Sequence, residues 1–252
     1  MTFSVTALRL GSIEIDRSGV LWGLPPGDRM TIPVWGAAIE GNGYRIVVDT
    51  GFADPAGWSR YNPCRQDPTE TMPAALAELG WRTGDVDVVI NTHLHYDHSE
   101  NNPLFTRARF YVSQAEWNHA RAPVPSQRWS YACEWTGPQV DYLDYTLVAA
   151  DHHDVLPGLR LIQTPGHTPG HQSVLVDTAD GVLCVAGDAA CVVENLAGPV
   201  ATGVTIDADL SLASISKIAL LSDCILMNHD PGLAAYQRDN FPRVRRAPDS
   251  IL

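Results

Sequence analysis

The stretch Asp87-Val88-Val89-Ile90-Asn91-Thr92-His93-Leu94-His95-Tyr96-Asp97-His98 decides how this chain is read. Its first half, β-branched apolar residues between polar flanks, predicts a buried strand. Its second half gathers three imidazoles and a carboxylate in one short loop at the strand's C-terminal end, which is a rigid mount. Neutral imidazole nitrogen and carboxylate oxygen suit Zn(II) and its borderline neighbours, and the lack of a nearby cysteine argues against a thiolate-rich structural zinc site. The run therefore points to a metal centre that performs chemistry. A His-rich surface loop is the alternative, but such loops rarely follow a buried strand and space their histidines around an aspartate.

A two-metal centre needs roughly three further ligands and a bridge, and later strand ends offer them. Thr164-Pro165-Gly166-His167-Thr168-Pro169-Gly170-His171 follows an apolar strand at Leu159 to Ile162, and its prolines and glycines make a tight turn from which His167 can point at metal. His171 reads instead as a hydrogen-bonded structural histidine. Asp188 follows the run Val182-Leu183-Cys184-Val185-Ala186-Gly187, so a carboxylate emerges at a strand end beside a glycine that gives backbone room. Asp188 is the natural bridge. His229, in Met227-Asn228-His229-Asp230-Pro231, follows the apolar strand Cys224 to Met227 and supplies the last imidazole. His119 falls on a predicted helix and His152 and His153 in an acidic loop, where solvated or structural roles are expected.

Alternation predicts opening strands at Val5 to Leu10, Val34 to Glu40 and Tyr44 to Val48, the last two joined by the hairpin turn Gly41-Asn42-Gly43. Ala74 to Gly80 reads as a helix ended by glycine. Further strands are expected at Phe110 to Val112, Ser173 to Val176 and Val182 to Ala186. Strands interleaved with helices predict an α/β protein whose sheets are covered by helices, and no Ser/Gly-rich linker divides residues 1–252, so one domain is expected. Two segments read as irregular covers with aromatic pocket walls: Asp16 to Pro33, with Trp22, and Trp117 to Tyr145, with Trp129, Tyr131, Trp135 and Tyr142.

The chain has 252 residues, 45% of them hydrophobic, enough for a substantial core. Its formal charge of -12 opposes binding to phosphate backbones, which argues against nucleic acid as a partner. Five cysteines without paired spacing fit a reducing cytoplasm, and neither a secretion signal nor a membrane span is legible. A cytoplasmic protein without membrane attachment is expected. One sequence does not reveal oligomeric state; a homodimer is a candidate.

The order His93-x-His95-x-Asp97-His98, His167, Asp188, His229 resembles the metallo-β-lactamase superfamily, and within it the N-acyl-homoserine lactonases. Ile32-Pro33-Val34-Trp35, Val48-Asp49-Thr50-Gly51 and Gly166 to Ser173 extend the resemblance over nearly the whole chain. The fold it implies is the metallo-β-lactamase fold, a four-layer αββα sandwich with metals at one edge between two sheets. It also implies that His93, His95 and His167 hold one ion, Asp97, His98 and His229 another, and Asp188 both. The cofactor is then two divalent ions, zinc first, with Mn, Fe or Co as alternatives. The implied reaction is attack of a metal-bridging hydroxide on a small-molecule lactone or ester, opening the ring to a hydroxy acid. Asp49 is a candidate acceptor for a ligand imidazole N–H.

One departure from the family stands out. The lactonases carry a tyrosine three residues after the bridging aspartate that holds the substrate carbonyl; this chain has Asp188-Ala189-Ala190-Cys191, and a thiol is short and a weak donor. Tyr96 or a cover aromatic is the candidate replacement, so Asp188, Asp97 and Tyr96 are the expected catalytic groups. Alternatives are an aromatic, pyridine-type lactone and a glyoxalase II-like thioester, though only Arg238, Arg243, Arg245 and Arg246 follow the last ligand as basic residues.

Overall fold

In a computed structural model, which describes residues 2–131, 143–198, 200–235 and 238–244, twelve strands form two sheets. The larger contains β1 (Ser4–Asp16), β2 (Arg29–Gly41), β3 (Tyr44–Val48), β4 (Cys64–Arg65), β5 (Val88–Ile90), β6 (Arg109–Ser113) and β7 (Asp144–Val148), in the order β4-β1-β2-β3-β5-β6-β7. The smaller contains β8 (His152–Leu156), β9 (Leu159–Gln163), β10 (Gln172–Thr178), β11 (Gly181–Val185) and β12 (Cys224–Leu226), in the order β12-β11-β10-β9-β8. The helices are α1 (Pro55–Trp58), α2 (Met72–Ala77), α3 (Tyr96–Ser99), α4 (Gln114–Arg121), α5 (Val193–Ala197) and α6 (Ala208–Leu221).

Period-2 alternation explains why the sheets stack. Trp35, Ala37 and Ile39 of β2, Ile46 and Val48 of β3, and Val88 and Ile90 of β5 point into one core, where they meet Leu159, Leu161, Val174, Val176, Leu183 and Val185 of the other sheet. The intervening residues point outward. Val34, Ala38, Val47, Val89, Phe110 and Val112 pack beneath Met72 and Leu76 of α2 and the loops around it. On the far side Leu175, Cys184 and Ile225 pack against Ile218 of α6. The layers are therefore helix, sheet, sheet, helix, the αββα order the sequence resemblance implies. Each fully buried aliphatic side chain contributes roughly 1.5–3 kcal/mol, so a strand buried on both faces is a stiff support for whatever follows it.

The hairpin between β2 and β3 turns at Asn42 and Gly43, both at positive φ (55° and 82°), as a two-residue primed turn demands. Three expectations are corrected. The first cover is shorter than Asp16 to Pro33, because β1 continues to Asp16 and β2 begins at Arg29, with Ile13 paired to Ile32 and Ile15 to Met30. β1 gains this length through a register shift between Arg9 and Ser12. Gly11 sits there at φ 130°, where an added Cβ would lie 2.5 Å from the Phe52 ring. His152 and His153 lie in edge strand β8, not in a loop: their backbone pairs with Ile162 and Leu161, the His152 side chain is exposed and the His153 ring lies near Tyr111. The second cover includes α4 and a 3-10 turn at Arg128–Ser130; Trp135 and Tyr142 lie outside the described residues. Among the described residues no helix is long and apolar enough to cross a membrane.

Candidate metal centre

Parallel pairing of β3, β5, β6 and β7, and of β11 with β12, aligns strand ends at one edge of the sandwich. β5 ends at Ile90 and delivers His93 and His95; α3 then carries Tyr96, Asp97 and His98. The turn between β9 and β10 carries His167, a 3-10 turn after β11 carries Asp188, and the segment after β12 carries His229. All seven side chains are buried. They converge in three groups whose ligand atoms lie within 4.8 Å of one another: His93, His95 and His167; His93, His98 and Asp188; and Asp97, His98 and His229.

The outer hydrogen bonds fix which ring nitrogen faces inward. His98 Nδ1 donates to Asp49 Oδ2 at 2.8 Å, His229 Nδ1 to the Pro33 carbonyl at 2.7 Å, and His167 Nδ1 to the Val204 carbonyl at 2.5 Å. His93 Nδ1 lies 3.1 Å from Thr92 Oγ1, whose own hydroxyl donates to Asp49 at 2.8 Å. With Nδ1 engaged outside, each ring turns Nε2 inward, as a lone pair wherever the ring is neutral. Those lone pairs face other acceptors: His98 Nε2 is 3.3 Å and His229 Nε2 3.1 Å from Asp188 Oδ1. His167 Nε2 is 3.2 Å from His93 Nε2 and 3.0 Å from His95 Nδ1. His98 Nε2 and Asp188 Oδ1 are buried without a hydrogen-bond partner. Converging lone pairs in a dry site repel unless a positive charge sits among them, so the donor set fits divalent cations.

The same logic appears in the acidities. Burial pushes His93, His95 and His167 below the ordinary imidazole range. Burial acts the same way on His98 and His229, but there the carboxylates of Asp97 and Asp188 prevail and raise both. Asp188 would be raised by burial, yet His229, His98 and His167 hold it well below the carboxylate range.

Asp49 behaves as the sequence suggests. At φ 58°, an uncommon backbone state for a residue other than glycine, it accepts from Thr92 N, Thr92 Oγ1, His98 Nδ1 and Asn228 Nδ2 at 2.8–3.0 Å. His171 is structural: its Nδ1 meets Thr164 Oγ1 at 2.9 Å, its Nε2 accepts from Asp188 N at 3.0 Å, and burial lowers it to about 3. It thereby seats the turn that carries Asp188. His119, on α4 as expected, meets Gln127 Oε1, and Gln127 Nε2 donates to the His167 carbonyl at 2.6 Å.

A cavity of about 50 Å³ opens beside the seven residues. Asp97, Tyr96 and Cys191 line it; Ile13, Ile15, Val20 and Ile32 form an apolar side, and Trp129 faces in from the second cover. Trp22 does not contribute and is 54% exposed. The Tyr96 ring stacks on Trp58 at 4.1 Å, and its hydroxyl lies 4.0 Å from Cys64 Sγ. Beyond Trp129 lies a groove of about 720 Å³ walled by Trp58, Tyr61, Trp129 and Tyr131. Three residues that matter here were not legible as site residues. Asn228 acts through one side-chain bond to Asp49 and Gln127 through two, to His119 and the His167 carbonyl, and Glu116 reads as an ordinary acid in the first turn of a helix.

Comparison with known proteins shows the family to which this fold belongs. A family model described as "Metallo-beta-lactamase superfamily" matches residues 32–226. An N-acyl homoserine lactonase of Bacillus cereus is 31% identical over 219 residues, 82% of this chain and 84% of that protein. The N-acyl homoserine lactonase AttM of Rhizobium radiobacter is 29% identical over 247 residues, 86% of this chain and 87% of its own. Among solved structures, an N-acyl homoserine lactone hydrolase with N-hexanoyl-L-homoserine bound at its catalytic metal center superposes with a TM-score of 0.82. It is 26% identical, over 93% of this chain and 96% of that one. With the sandwich, the strand-end ligand groups and a family match spanning both sheets, this chain belongs to the metallo-β-lactamase superfamily.

Proposed function

We propose that residues 1–252 act as one hydrolase domain that opens a lactone ring with two divalent ions, zinc first among them. The observation that carries this reading is the convergence of three buried His/Asp groups beside a small cavity, together with lactonase relatives across most of the chain. His93, His95 and His167 would hold one ion, Asp97, His98 and His229 the other, and Asp188 both. Ions bound there would activate water at neutral pH and polarise the ester carbonyl.

The protein's own groups supply orientation and exclusion. Asp49, Thr92, Pro33 and Val204 fix the ring tautomers and aim four nitrogens inward. The apolar side of the cavity limits water around the reacting ester. Asp188 stays ionised among imidazoles and is the carboxylate suited to relay a proton to the leaving alkoxide oxygen. Tyr96, at the cavity wall beside Cys191, is the candidate donor for the substrate carbonyl. Four buried free cysteines, Cys64, Cys184, Cys191 and Cys224, support a reducing, cytoplasmic setting.

A second reading narrows the substrate to lactones of aromatic acids. Two observations favour it: a thiol at 191 where the lactonases carry a tyrosine, and the aromatic groove beyond Trp129. Both readings are tested by one screen of metal-reconstituted protein against short-chain and long-chain acyl-homoserine lactones, aromatic lactones, thioesters and phosphodiesters, followed by acid release. Lactone turnover that stops when a chelator removes the metal supports the proposal. Turnover confined to thioesters or phosphodiesters overturns it.

A further inference from the structure

Glu116, in the first turn of α4, is fully buried and takes no part in the ligand groups. Its Oε1 accepts from the backbone N–H of Leu94 at 3.0 Å and from the Tyr131 hydroxyl at 2.9 Å, and its Oε2 accepts from the Thr168 hydroxyl at 2.5 Å. Leu94 lies between His93 and His95, and Thr168 follows His167. The Tyr131 ring packs edge-on against His95, with centroids 4.7 Å apart. One carboxylate therefore joins both loops that carry the three-histidine group to the aromatic wall of the groove.

The approach is enforced from the other side. A Cβ on Gly170 would fall 1.9 Å from the Glu116 nitrogen, so only glycine lets the 164–171 turn seat against the start of α4. No lysine or arginine pairs with Glu116 among the described residues, and a buried carboxylate without a counter-charge is costly. The two ion positions are also unequal. One would have Asp97 as its own carboxylate, while the other would have three neutral imidazoles and only the shared Asp188.

We propose that Glu116 is a positioning residue whose buried charge favours a cation among His93, His95 and His167, and whose hydrogen bonds set the spacing of the loops that carry them. This goes beyond lactone hydrolysis, and its test needs no substrate. Glu116→Gln keeps the shape and removes the charge. Zinc stoichiometry after dialysis against a graded chelator, and the melting temperature of the metal-free protein, are measured beside wild type. The expected result is about tenfold weaker binding of one of the two ions, with the other retained and the metal-free melting temperature equal to or above wild type. Glu116→Asp, which keeps the charge, is expected to recover part of the lost affinity. Wild-type affinity for both ions in Glu116→Gln overturns the proposal. So does a metal-free melting temperature that falls while both ions still bind, since that marks a purely structural residue. Should Glu116→Gln not fold, Thr168→Val carries the test: it leaves the charge and cuts the bond to the His167 loop. A selective but smaller weakening of one ion is then expected, and unchanged binding of both overturns the proposal. A wild-type chain that binds no zinc overturns the metal-hydrolase reading itself.

Discussion

Asp188 is held on several sides. Its carboxylate lies against His98, His167 and His229 at 3.1–3.5 Å, and its backbone N–H is held by His171. Asp188→Ala is expected to lose one ion or both and to reduce lactone turnover by at least about a thousandfold, read by metal analysis and initial rates. His98→Ala should behave similarly, because it removes a nitrogen facing Asp188 and takes one of four donors from Asp49. Asp49→Asn is the subtler variant. It removes the charge that orients His98, and metal affinity should drop by roughly 10–100-fold while far-ultraviolet circular dichroism is unchanged. The proposed ligands were legible in the sequence because His93 to His98 is dense and because His167, Asp188 and His229 each follow a recognisable strand. Glu116 was not, since an acid near a helix start is ordinary and its partners, Leu94, Tyr131 and Thr168, are distant in the chain.

Elements deliver these side chains, and glycines decide how closely the elements approach. Gly187 occupies φ 59°, and a Cβ there would lie 2.6 Å from His171 Nε2 and 2.7 Å from Thr92 Cβ. Gly187→Ala is expected to cost about 1–3 kcal/mol of stability and to shift Asp188, so both melting temperature and metal occupancy should fall. Buried strands announced themselves through runs of apolar residues, as in Val88 to Ile90 of β5 and Leu183 to Val185 of β11. β8 did not, because His152, His153 and Asp154 are polar, two of them face water at a sheet edge, and the backbone ladder makes the strand. The early start of β2 was likewise hidden, since Arg29 and Thr31 are polar around a single Met30 and the prolines just before them read as loop. Tertiary pairing with Glu14 to Asp16 of β1 extends the strand there.

At the scale of the molecule, two sheets share one apolar core and the metal centre closes the edge between them. β5, in one sheet, supports His93, while Asp188 and His229 hang from β11 and β12 in the other. Ions bound among them therefore link the halves of the sandwich and stabilise the folded state by mass action. Removing metal should lower the melting temperature by on the order of 10 °C, taking ions present at about a thousand times their dissociation constants. Thermal unfolding with and without a chelator checks this. The layer order followed from strand patterning and family resemblance, whereas the depth of the cavity and the aromatic groove depended on packing between segments far apart in sequence. Anomalous diffraction from zinc-loaded crystals tests the central claim most directly. The account predicts two zinc peaks, one about 2.1 Å from nitrogens of His93, His95 and His167, the other similarly close to Asp97, His98 and His229, with Asp188 reaching both. A single peak, or zinc bound away from these residues, would contradict it.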